Sequence, residues 1–125
     1  MPETKQKVVL VTGASSGFGQ AIAEALVRDG HLVYGTYRRN APSDPTFRAI
    51  NVDVTQDDSV DRAIADIARD AGRLDVVINN AGMGIAGAIE DTSVDEAKAQ
   101  FETNFFGLHR VCRAALPHMR SRGAG

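Results

Sequence analysis

The sequence predicts an α/β fold, a doubly wound parallel sheet with helices on both faces, present in part. Three observations predict it. Strand-like and helix-like segments alternate along the chain in the order β-α-β-β-α-β-α. The first strand segment, Lys7 to Thr12 (KVVLVT), is an almost unbroken β-branched run, as a central strand buried on both faces requires. A glycine-rich loop, Gly13-Ala14-Ser15-Ser16-Gly17-Phe18-Gly19, stands directly between that strand and the next helix.

From Gly19 the period changes. Gly19, Ile22, Ala23, Leu26 and Val27 recur at i, i+3, i+4, i+7 and i+8, the pattern of an amphipathic helix, and Gly30 is placed to cap its end. Leu32 to Tyr37 reads as the second strand. Asn40 to Pro45 holds two prolines, an Asn and an Asp, and reads as a loop. Phe47 to Val54 is the third strand. Thr55 or Asp57 is expected to cap the next helix, whose stripe is Val60, Ile64, Ile67, Ala68 and Ala71 and whose end is Gly72. Leu74 to Asn79 is the fourth strand, and Ala81 to Gly87 a small, glycine-rich loop. The last helix, from about Val94 to Arg120, carries the stripe Val94, Ala97, Phe101, Phe105, Leu108, Cys112, Ala115 and Met119. Pro117 should kink or fray its final turns, and Ser121 to Gly125 is expected to be disordered. Right-handed crossovers place the strands in the order 3-2-1-4. The fourth strand is then left as an open edge, although it is apolar enough for a central position.

The chain has 125 residues, enough for one domain with a modest core. Hydrophobic residues make up 43% and charged residues 24%, an ordinary globular balance. Net charge is −2 with both signs interspersed, which argues against nucleic acid or an anionic membrane as partner. The single Cys112 forms no intrachain disulfide, and His31, His109 and His118 are too scattered for a metal site, so no metal is expected. The first seven residues are polar and do not resemble a secretory leader. No stretch approaches the roughly 20 apolar residues of a membrane span. A cytoplasmic location is expected.

The glycine loop carries the chemistry. Glycines allow a tight turn and a close approach of phosphate to backbone, and the helix N-terminus offers free N–H groups and partial positive charge. The plainer alternative is a Gly-rich turn with serine caps. The spacing is Gly-x-x-x-Gly-x-Gly preceded by Thr12, which resembles the short-chain dehydrogenase/reductase family. Further motifs fit that family in order: Asp53-Val54 after the third strand, Asn79-Asn80-Ala81-Gly82 closing the fourth, Asn104 in Asn-Phe-Phe-Gly, and Leu116-Pro117-His118-Met119. The resemblance runs from about Lys7 to the end and implies a partial Rossmann fold, with residues 1–125 as the N-terminal part of one dinucleotide-binding domain.

The resemblance also implies roles. Gly13, Gly17 and Gly19 would shape a pyrophosphate site, with Phe18 in the same loop and Ser15 and Ser16 as hydrogen-bonding partners. Asp53 would meet the adenine amino group and Val54 its face. Asn80, Ala81 and Gly82 would border the adenosine ribose and support the sheet. Asn104 would belong to the catalytic set and hold an ordered water in a proton relay; the alternative is a polar side chain satisfied by nearby backbone. The family's helix equivalent to 94–120 commonly packs against its copy, which implies a homo-oligomer. Phe106 and Val111 would serve such an interface or flank the core.

Cofactor choice rests on charge. An acidic residue about 20 positions after the loop would bind the ribose 2′-hydroxyl of NAD and repel a 2′-phosphate. Here the segment reads Tyr37-Arg38-Arg39, and Arg38 can offer a guanidinium fork to phosphate, favouring NADP(H) over NAD(H); the alternative is that both arginines are solvated surface charges.

In the family, hydride moves between the nicotinamide and a carbonyl or alcohol carbon, with a Ser and a Tyr-x-x-x-Lys as partners. Tyr34 is followed four residues on by Arg38, and Tyr37 by Ala41, so neither fits. The expected function is therefore an NADP(H)-dependent oxidoreductase of small carbonyl or alcohol substrates in a longer parent. This chain alone is expected to be inactive and to bind cofactor at most. The alternatives are a non-catalytic NADP(H)-binding module and a structural or oligomerisation fragment.

Overall fold

Val8–Val11 form the first strand, β1, and all four residues are buried. Successive side chains of a strand point to opposite faces. Val8 and Leu10 accordingly enter one core, and Val9 and Val11 another. A strand apolar on both faces needs helices on both sides. The computed structural model, which describes residues 5–125, supplies them. The expectation of a polar, leaderless start falls partly on residues 1–4, outside the described residues.

Three further strands complete a parallel sheet: β2 (Leu32–Tyr37), β3 (Arg48–Asn51) and β4 (Val76–Ile78). Their order is β3-β2-β1-β4, as expected. Val9 stands opposite Val33 on one side and Val76 on the other. β1, β3 and β4 are shorter than their apolar runs. At β3 the reason is visible: Val52 still donates to the Tyr37 carbonyl at 2.9 Å, but Asp53 turns its N–H to the Ser59 hydroxyl and the ladder stops.

Helix α1 (Gly17–Arg28) covers the Val9–Val11 face with Ala23, Ile22, Leu26 and Val27. Gly30 ends it at φ +90°, with Gly30 N–H donating to Val27 O and His31 N–H to Leu26 O, the paired closing bonds of a left-handed cap. Helix α2 (Asp57–Ala71) buries Val60, Ala63, Ile64 and Ile67 against the other face and ends at Gly72, φ +75°. Neither Thr55 nor Asp57 caps it. The N-cap is Gln56, without a side-chain bond, and the Thr55 hydroxyl instead donates to Asp53 at 2.7 Å.

The expected single long helix is three pieces. Helix α3 (Val94–Phe101) starts on a Ser93–Glu96 capping box. A π-helical turn, Glu102–Phe106, leads into helix α4 (Gly107–Arg122). Of the predicted stripe, Ala115 and Met119 pack on the core and the earlier large residues do not. Phe101, Phe105 and Leu108 are exposed, and burial falls on Gly107, Val111 and Ala115. Val111, at 2% exposure, is core and not available to an interface, unlike half-exposed Phe106. Small residues let α4 lie close: a Cβ at Gly107 would stand 2.7 Å from Val54 Cγ2. The helix runs through Pro117, and the irregular turn sits instead at 102–106. Ser121 and Arg122 are helical rather than disordered, and Gly123 closes the helix at φ +69°. Arg122 is anchored to Asp75 at 2.9 Å.

Candidate functional site

In open parallel sheets, ligands bind beyond the carboxyl ends of the strands, where connections diverge to opposite faces. Here β1 leads to α1 on one face and its neighbour β4 toward α4 on the other, so the divergence lies between them. The loop after β1 is organised by hydroxyls. Thr12 Oγ1 accepts from the N–H groups of Asn80 and Ala81, each at 3.0 Å, tying the ends of β1 and β4 together. Thr36 Oγ1 accepts from Gly13 N–H at 3.0 Å, and the Thr36 carbonyl from Ala14 N–H at 2.8 Å. Asn80 Nδ2 donates to Gly13 O at 3.0 Å, so its side chain braces the loop.

The three glycines do different work. Gly13 takes φ +68° and Gly17 φ +58°, backbone conformations costly for other residues. Gly19 is required by space: a Cβ there would lie 2.0 Å from Gly13 O. In front of Gly17 nothing lies within 4 Å of a Cβ position, so the first turn of α1 faces open space. Ser16 makes no side-chain cap bond and no acidic residue stands in that turn. The uncapped N–H groups thus remain available to an anion. Ser15, Ser16, Gly17 and Phe18 are all exposed around it, Phe18 at 84%.

A cavity of about 170 Å³ continues from this loop. Gly13, Ser15, Thr36, Tyr37 and Arg38 form one side; Val52, Val54, Ala81, Gly82, Met83 and Thr103 form the other. Of the expected residues, Gly13, Ser15, Arg38, Val54, Ala81 and Gly82 line this cavity, Asp53 lies beside Arg38 at 3.7 Å, and Ser16, Gly17, Phe18, Gly19, Asn80 and Asn104 stand outside the lining. Burial alone would raise the Asp53 carboxyl, but hydrogen bonds from Thr55 and the Arg38 and Arg110 charges outweigh it and hold it below the ordinary carboxylate range.

Asn104 lies in the π-helical turn, as functional residues often do. Its Oδ1 accepts from Met83 N–H and its Nδ2 donates to Met83 O, both at 2.7 Å. That pairing spends one acceptor and one donor on the loop after β4, in line with the backbone-satisfied alternative for its side chain. Arg110 braces the same turn: it pairs with Glu102 inside it, with Asp57 at 2.6 Å, and with the Val54 carbonyl at 3.3 Å. The sequence reading missed Thr36, Met83 and Thr103 and gave Thr12 no role. A hydroxyl inside a β-branched strand reads as strand propensity, which hid both threonines.

A larger groove, about 320 Å³, runs between α2 and α4 and is lined by Asp57, Asp61, Phe106, His109, Arg110 and Arg113. It shares no residue with the glycine-loop cleft, and its walls mix both charges. Among the described residues no cluster of three metal-ligating side chains occurs, and no helix is long and apolar enough to cross a membrane.

Comparison with known proteins agrees with this architecture. The model of the short chain dehydrogenase family matches residues 7–125. The 3-ketodihydrosphingosine reductase of Bacteroides thetaiotaomicron is 47% identical over 119 residues, 95% of this chain and 44% of that protein. A short-chain dehydrogenase crystal structure from Streptomyces avermitilis superposes with a TM-score of 0.86 at 47% identity, covering 97% of this chain and 47% of that one. The structure of ElxO with NADP bound gives a TM-score of 0.86 at 27% identity, covering 97% and 53% respectively. The chain therefore spans less than half the length of its reductase relative.

Proposed function

Because the chain belongs to the short-chain dehydrogenase family, we propose that it is the N-terminal part of one dinucleotide-binding domain of an NADP(H)-dependent oxidoreductase. The substrates of the whole protein would be small carbonyl or alcohol compounds. The observation that carries the cofactor choice is Arg38. It follows β2 directly, lines the cleft, and leaves no acidic residue at the strand end to favour a free ribose 2′-hydroxyl. That ElxO, a similar protein, is seen with NADP bound supports the reading.

The residues fit such a cofactor. The uncapped first turn of α1 and the open space before Gly17 would take the pyrophosphate, with Ser15 and Ser16 as hydroxyl donors. Phe18 would stand at the rim. Val54, Ala81 and Gly82 would wall the adenosine, and Asp53 would accept from the adenine amino group. Arg38 would pair with the 2′-phosphate, for which a planar guanidinium is suited. When bound, the dinucleotide would carry the hydride exchanged with the carbonyl or alcohol carbon. Asn104 would contribute to a proton relay from the π-helical turn, held to the loop after β4 by Met83. In this chain no tyrosine stands four residues before a lysine, so its own share of the reaction is binding rather than proton donation.

Pairing of the 94–120 helix with a second copy is part of the same reading, supported by the exposed Phe101, Phe105 and Leu116. A cytoplasmic setting suits the free thiol of Cys112.

Affinity decides the cofactor. NADPH should bind the chain at least about tenfold more tightly than NADH, a difference of about 1.4 kcal/mol, and Arg38→Ala should remove most of it. Equal affinities in the wild type would refute the assignment.

A further inference from the structure

Arg38 has an anion built in beside it. Its Nε lies 3.7 Å from Asp53 Oδ2, with the two side chains 54% and 31% exposed. The other carboxylate oxygen is committed: Oδ1 accepts from Thr55 N–H at 3.0 Å and from the Thr55 hydroxyl at 2.7 Å. The Asp53 backbone is fixed too, its N–H donating to Ser59 Oγ at 2.9 Å. Oδ2 is therefore the free oxygen, and it is turned to the guanidinium. Arg38 is steadied from the neighbouring strand, where Asn51 Nδ2 donates to the carbonyls of Tyr37 and Arg38 at 3.2 and 2.8 Å. The fold thus holds the Asp53 carboxylate and the Arg38 backbone, and the exposed guanidinium extends beside that carboxylate.

We propose that Asp53 is a specificity-determining residue, a fixed counter-anion that competes with a nucleotide 2′-phosphate for Arg38 and so tempers the preference for 2′-phosphorylated nucleotides. The inference rests on the NADP(H) reading above. A phosphate entering the Arg38 fork must share the guanidinium with a carboxylate already placed on it. The carboxylate also draws on Arg110, whose charge acts on it from the α4 side. Half-open ion pairs are weak, so the tempering is a factor of about two to five rather than an order of magnitude. It also declines with salt, because charges more than about 8 Å apart are screened at physiological ionic strength and nearer ones partly so.

The test compares adenosine 2′,5′-bisphosphate with AMP, which differ only in the 2′-phosphate and need only the adenosine end of the site. Calorimetric titration of the full chain gives the ratio of the two dissociation constants. Asp53→Asn, which keeps an acceptor for Thr55, should raise the preference for the bisphosphate about two- to fivefold at low salt, and less at 0.5 M salt. Asp53→Ser, a second neutral replacement, should do the same. In an Arg38→Ala background neither should change the ratio. An unchanged or lowered ratio in both neutral variants overturns the role of Asp53. So does an equal gain without Arg38, which would mean general repulsion. Either result leaves the NADP(H) reading intact if the wild type still prefers the bisphosphate through Arg38. A wild-type ratio of one, or no saturable binding of either nucleotide, overturns both.

Discussion

A methyl group at Gly19 has nowhere to go. It would stand 2.0 Å from Gly13 O and 2.4 Å from Asn80 Nδ2, the atoms that brace the loop. Gly17 is the opposite case, with open space but φ +58°. Gly19→Ala should therefore destabilise the chain by about 3 kcal/mol, at the upper end of overpacking costs. Gly17→Ala should cost about 1 kcal/mol, the penalty of a left-handed backbone. Urea denaturation midpoints read both, and equal, small losses would contradict the division of labour. At this scale the sequence was legible where spacing carries the message. Gly13, Ser15, Val54, Ala81 and Gly82 lie around one cleft with Arg38, and Asn80 braces Gly13 at its edge. Thr12 and Thr36 were not legible, because a hydroxyl that bonds a neighbouring loop looks in sequence like any strand threonine.

Elements were legible where one face is buried by its own neighbours. α1 and α2 turn the residues their periodicity marks to the core, and α2 adds Ala63 to them. The 94–122 segment was misread because periodicity reports an apolar face and not what covers it. The large residues Phe101, Phe105 and Leu108 outweighed Gly107 and Val111, yet Gly107 allows the close approach to Val54. The end of α4 is held by a buried carboxylate. Asp75 accepts from Val8 N–H at 2.8 Å, from Arg73 at 2.7 Å and from Arg122 at 2.9 Å. Burial alone would raise its pKa, but these three donors outweigh it and hold the carboxyl below the ordinary range. A depressed carboxyl stabilises the fold above its unfolded value of about 3.9, and the contribution is lost as pH falls through the folded value. Asp75→Asn should thus cost about 2 kcal/mol at pH 7, because it strips two guanidinium groups of their partner. The gap between variant and wild type should close progressively below about pH 5. A gap that persists undiminished to strong acid, or no gap at pH 7, would contradict the latch.

At the scale of the whole molecule, the glycine-loop cleft competes with roomier concave surfaces, the groove between α2 and α4 among them. The groove between α2 and α4 is the larger, at about 320 Å³ against about 170 Å³. Size is the weaker criterion here. The smaller cleft lies at the carboxyl ends of the strands, beside an uncapped helix N-terminus, and gathers residues from both halves of the sheet. The sheet order and the position of this cleft followed from the strand–helix alternation and the glycine loop. The position of β4 at the edge of the sheet also followed from sequence order, whereas the exposed face of the last helix did not. Amide NMR of the isotope-labelled chain titrated with NADPH shows whether the glycine-loop cleft receives the cofactor. Saturable shifts are expected at Gly13, Ser15 to Gly19, Arg38, Val54 and Ala81. Shifts centred on Asp61, His109 and Arg113, with the glycine loop silent, would contradict this placement of the cofactor.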